Sequence, residues 1–97
     1  MVDLLEQIQS AILENRYLIT DHALEELVAD SLHVVDLESA ILTGTIERVQ
    51  PAEPNTPGPR YTVVGTATDQ DTQVAVVCRF VVEMRLLVIT VYTISHD

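Results

Sequence analysis

Apolar residues Leu4, Leu5, Ile8, Ala11 and Ile12 fall at i, i+1, i+4, i+7 and i+8, one stripe of an α-helix. Asp3 stands ahead of that stripe with Glu6 three residues later, close to a capping box. The helix is predicted to end near Asn15, and a short extended piece runs from Arg16 to Ile19. Thr20 then offers an N-cap for a second helix over about 21–30, with Ala23, Leu24, Leu27 and Val28 as its apolar set. A third helix over about 34–42 presents Val34, Leu37 and Ile41, behind a cap-like pair of His33 and Asp36. Gly44 stands where a left-handed C-cap residue is expected.

Beyond Gly44 the period becomes two, or the runs become solidly apolar, which predicts strands at about 45–50, 60–68, 73–82 and 86–94. Pro51, Pro54, Pro57 and Pro59 crowd between the first two strands, so residues 51–59 read as an exposed, stiff loop. Asp69–Thr72 and Glu83–Arg85 read as turns, and the short connections imply an antiparallel meander. In Val74–Val82 and Leu86–Tyr92 both alternating sets of residues are largely apolar. A sheet with one wet face alternates, so the second face is expected to meet either the Pro-rich loop or another chain. A homodimer is the simpler expectation for so small a domain.

The chain has 97 residues, enough for one domain with one core: a helical layer over 3–43, a sheet over 45–95 and the loop over 51–59. Its 15 acidic residues face 5 basic ones, all arginine, for a net charge of -10. The excess is lopsided, with nine acids and one arginine in residues 1–43 against six acids and four arginines in 44–97. Such a charge argues against nucleic acid and anionic membranes as partners, and suits a basic protein partner on the helices. No signal-like N-terminal stretch is visible, and Arg79, Glu83 and Arg85 interrupt the most apolar run. The reading is a soluble, cytoplasmic protein with its single cysteine reduced.

Arg16-Tyr17-Leu18-Ile19-Thr20-Asp21-His22-Ala23, then Val35-Asp36-Leu37, Gly44-Thr45-Ile46-Glu47, Arg60-Tyr61-Thr62-Val63-Val64-Gly65 and Val88-Ile89-Thr90-Val91-Tyr92 follow one another in an order that resembles the bacterial domain-of-unknown-function 4258 family. The shared pattern is an aromatic residue, Thr-x-His-Ala opening a helix, a Gly after the next helix, a strand with Tyr and Gly, and a closing Ile-Thr-Val-Tyr strand. That family is similar, more distantly, to the RelE/BrnT-like toxins, which implies helices packed on an antiparallel sheet and, for those toxins, RNA cleavage. The family itself carries no settled activity. Here Glu25, Glu26 and Asp30 stand in a helix where the resemblance implies arginines, and Tyr92 and Thr93 stand where those toxins carry basic residues.

Candidate chemistry is sparse. His22, at the start of the second helix and near Thr20, is the best candidate general base, with Tyr92 as its companion; the alternative is a histidine that merely fixes the helix on the sheet. His22, Glu25 and Glu26 at i, i+3 and i+4 also share a helix face, but no distant ligand completes a metal site, and none is assigned. Arg48, Arg60 and Arg79 on one sheet face would make a small anion site, unless cross-strand acids such as Glu47 neutralise them. Cys78, in mid-strand, reads as a small hydrophobe, and His96 lies in the tail. Tyr17, Tyr61 and Tyr92 are expected to bury their rings and send their hydroxyls to the rim. No phosphate-cradling glycine loop, Ser/His/Asp set or cofactor motif is visible.

The expectation is an α+β fold, two or three N-terminal helices on a four-stranded antiparallel sheet, forming a non-enzymatic acidic interaction module. The alternative is a nuclease-like enzyme using His22. Convergence of the three arginines with His22 in one cleft would favour the enzyme.

Overall fold

A computed structural model describes residues 3–55 and 58–94; Pro57 and His96 lie outside them. Helix α1 spans Leu4–Leu13, strand β1 Tyr17–Ile19, α2 Asp21–Ala29 and α3 Val34–Thr43. Strands β2 (Thr45–Gln50), β3 (Arg60–Thr66), β4 (Gln73–Phe80) and β5 (Leu86–Ile94) follow, with a short 3-10 turn at Val82–Met84.

The helix starts are built as the sequence predicts. Asp3 accepts the Glu6 N–H at 2.8 Å, and Thr20 Oγ1 accepts the Ala23 N–H at 3.1 Å. At α3 the Asp36 carboxylate reaches back to the His33 N–H at 2.9 Å. The helices end where Asn15 and Ser31 take positive φ and the chain turns away.

The sheet differs from the expectation. It has five strands in the order β1-β5-β4-β3-β2, and it is mixed, because β1 runs parallel to β5 with Tyr17 opposite Leu86 and Ile19 opposite Val88. The piece read as merely extended is thus an edge strand. Its inward residues Tyr17 and Ile19 join the core, and β5 offers it free backbone groups beside Leu86–Val88. The β2–β3–β4–β5 meander is antiparallel as predicted.

All three helices contribute to one core cluster. Ile8, Ala11 and Ile12, Ala23 and Leu27, and Leu37, Ala40 and Ile41 meet Val63, Val74, Val76, Cys78, Leu86, Val88 and Val91. Those strand residues occupy one face of the sheet, so among the described residues the other face has no helix on it. Gly44 is not left-handed; its φ is -94°. Its lack of a side chain serves close approach instead, since a Cβ there would lie 2.5 Å from the Ala40 carbonyl oxygen and 2.6 Å from that of Val64. Gly65 in β3 meets the same Ala40 carbonyl, so the backbone of α3 rests directly on the strand.

Candidate functional site

Strand register fixes what the uncovered face displays. Cross-strand partners share a face, so Arg79 pairs with Leu87, Val77 with Thr90 and Ala75 with Tyr92, all pointing away from the helices. Thr62 and Val64 of β3 join Val77 and Ala75, and Thr45, Arg48 and Gln50 of β2 lie opposite Val64, Thr62 and Arg60. Leu18 of β1, beside Leu87, completes the rim and is 49% exposed. The result is a two-sided surface. Leu18, Leu87, Val77, Val64 and Tyr92 form an apolar side, and Arg48, Arg60 and Arg79 gather at the β2–β4 corner. Residues 51–55 of the Pro-rich loop are solvent-exposed, and Gly58 and Pro59 are half-buried.

The three arginines are neighbours. Arg60 continues the β3–β4 register one step beyond Tyr61–Cys78, opposite Arg79, and Arg48 stands diagonally across on β2, opposite Thr62. These are positions from which long side chains meet. No described carboxylate pairs with any of them; the ion pairs among the described residues are Arg16–Glu14 and His22–Glu26. Glu47, the acid expected to neutralise them, accepts from Thr45 Oγ1 at 3.1 Å instead. The cause is a bulge: the β2 register shifts between Ile46 and Arg48, which leaves Glu47 unpaired with β3. Arg79 Nε is buried without a hydrogen-bond partner. Arg60 also borders a pocket of about 200 Å³ with Gln50, Pro51, Glu53 and Gly58.

His22 lies elsewhere. It sits in the first turn of α2, on the helical side, with its side chain 65% exposed and Nε2 3.3 Å from Glu26 Oε1. That same oxygen accepts the Val91 N–H at 3.0 Å, while Thr20 Oγ1 donates to the Ile89 carbonyl at 3.1 Å. Past the end of β1, these groups of α2 satisfy the edge of β5. Tyr92 faces the other side of the sheet, and no hydrogen bond joins it to His22 among the described residues. The arginines, too, stand across the sheet from His22. Among the described residues no group of three or more His, Cys, Asp or Glu side chains is placed to hold a metal ion.

Sequence reasoning missed two polar clamps. Asp36, buried at the start of α3, accepts the His33 N–H and, through Oδ1, both the Thr68 N–H at 3.0 Å and the Thr68 hydroxyl at 2.7 Å. The His33 N–H first, then the Thr68 groups, hold its carboxyl below the usual range. The His33–Asp36 spacing was visible in sequence; the tie to Thr68, 32 residues away, was not. Tyr17 donates its hydroxyl to Glu38 Oε2 at 2.5 Å, and burial with that carboxylate pushes its pKa to about 12. Cys78, fully buried, has its thiol pushed to about 12 by burial and is chemically quiet. A second groove, of about 530 Å³, lies between α1 and the β4–β5 turn beside Ser10, Arg16 and Met84.

Three N-terminal helices on one face of a five-stranded mixed sheet place the protein in the α+β class. The chain belongs to the Domain of unknown function (DUF4258) family, whose sequence model matches residues 19–93. Comparison with curated proteins and with solved structures finds no match at a significant level, and the RelE/BrnT-like resemblance has no counterpart there. The family match begins at Ile19, the last residue of β1, and ends within β5, so it takes in α2, α3 and the antiparallel meander.

Proposed function

We propose that the protein is a non-enzymatic interaction module that pairs with a second copy of itself through the open face of its sheet. The observation that carries this reading is the placement of all three helices on one side, which leaves Leu18, Leu87, Val77, Val64 and Tyr92 on the other. Tyr92 is 42% exposed and Leu18 half-exposed, side chains whose removal from water favours association. Face-to-face pairing turns the helical layers outward. There Glu25, Asp21 and Asp30, all exposed, would receive a basic protein partner. His22 bonded to Glu26, with the arginines across the sheet, supports binding over catalysis.

Light scattering at high micromolar concentration tests self-association. The expected mass is that of a dimer, with Leu18→Glu and Val77→Glu shifting it to monomer while far-ultraviolet circular dichroism stays unchanged. A strictly monomeric wild type at that concentration would overturn the reading.

A further inference from the structure

We propose that Arg48, Arg60 and Arg79 form a binding site for a compact phosphate group, either free phosphate or a small phosphomonoester. In a chain with 15 acids and 5 arginines, three arginines on adjacent strands with no ion pair among the described residues are the least expected arrangement. Like charges at facing positions destabilise a sheet unless an anion lies between them. The buried, unpartnered Arg79 Nε adds a second observation, because a buried donor left unsatisfied is costly. An acceptor lying on the face between Arg79 and Arg60 satisfies both.

The shape of the cluster selects the ligand. A single carboxylate offers two oxygens and matches one guanidinium fork, whereas a phosphate presents three or four to forks approaching from three strands. Thr62, between Arg48 and Val77 in the register, adds a hydroxyl to the floor. Glu53 lines the adjacent pocket with Arg60, which places the anion over Arg79 and not beneath the Pro-rich loop. The net charge of -10 favours a small anion over a polyphosphate chain, whose added negative charges would be repelled by so acidic a protein. Self-association is not required, since Leu18, the most exposed apolar residue of the face, lies on β1, two strands away from Arg79.

Thermal unfolding and calorimetric titration with sodium phosphate, against sodium chloride of equal ionic strength, test the site. The expected result is a saturable rise in melting temperature for the wild type. Arg60→Gln and Arg79→Gln should each weaken phosphate binding at least tenfold, while Arg16→Gln, at an arginine paired with Glu14, keeps the wild-type response. In phosphate-free buffer Arg60→Gln should melt at or above the wild-type temperature, because it relieves repulsion; this shows that its loss of binding is not misfolding. Repeating the titration on Leu18→Glu separates the anion site from self-association, and the response should persist. An equal phosphate response in wild type and both glutamine variants, or none in the wild type, would overturn the site. Binding of a short single-stranded RNA in preference to phosphate, with steep salt dependence, would overturn the compact-anion reading.

Discussion

The two faces of one sheet obey different rules in this protein. On the inner face, contact is so close that glycine is required: the backbone of α3 lies against Gly65 and Gly44, and Val63, Val74, Val76 and Val88 are fully buried. On the outer face the same strands carry Leu18, Tyr92 and three arginines that form no ion pair among the described residues. The comparison teaches that alternation along a strand separates two tasks. Inner positions hold the fold, and outer positions are free to bind, so substitutions on the two sides should move different observables.

The largest effect should come from Gly65→Ala. A Cβ there collides with the Ala40 carbonyl, a backbone atom that cannot rotate away, so denaturant unfolding should show a loss of at least about 3 kcal/mol. Asp36→Asn comes next, at about 2 kcal/mol near neutral pH, because the buried carboxylate accepts from both His33 and Thr68. Its pKa is depressed on folding, so its contribution is present above the unfolded value near ~3.9 and is lost as pH falls through the folded one. Wild type and Asp36→Asn should therefore converge in stability under acid; parallel curves down to low pH would contradict this assignment.

Tyr17→Phe should cost about 1 kcal/mol through the lost bond to Glu38. With its pKa raised to about 12, this phenol favours the fold at neutral pH and withdraws that support as pH climbs from ~10 toward 12. Ultraviolet phenolate titration should show a late ionisation step that is lost in the Phe variant. The smallest effect belongs to Leu18→Thr on the outer rim. Its stability, read at low protein concentration, should lie within about 0.5 kcal/mol of wild type while its dimer weakens. A large loss of monomer stability there would erase the distinction between the faces.

Local signals were legible in the sequence. Asp3, Thr20 and the His33–Asp36 pair marked the helix starts, because caps are read from neighbouring residues. The meander was legible for the same reason: polar turns separate its strands, and Asp69 does gather the Asp71 and Thr72 N–H groups. Strand β1 was not, since three residues show no period and their meaning depends on β5 at the far end of the chain. Gly44 was read from position alone, and its actual reason, the approach of Ala40 and Val64, is tertiary. At the arginine face, strand parity already placed Arg48, Arg60 and Arg79 together. That Glu47 does not pair with them was hidden, because it follows from a bulge at Glu47 that no residue pattern announces.

The parallel pairing of β1 with β5 also has a consequence for the order of assembly. Thr20 and Ile89, hydrogen-bonded in the finished protein, are 69 residues apart in sequence. At ordinary synthesis rates the first strand therefore waits roughly 3–14 s for its only neighbour in the sheet to emerge. During that interval α1 and α2 have no sheet edge to rest on, and closing so long a loop comes late in folding. The last strand is thus the clasp of the whole molecule: a nascent chain halted before Leu86 leaves both of its ends unfastened.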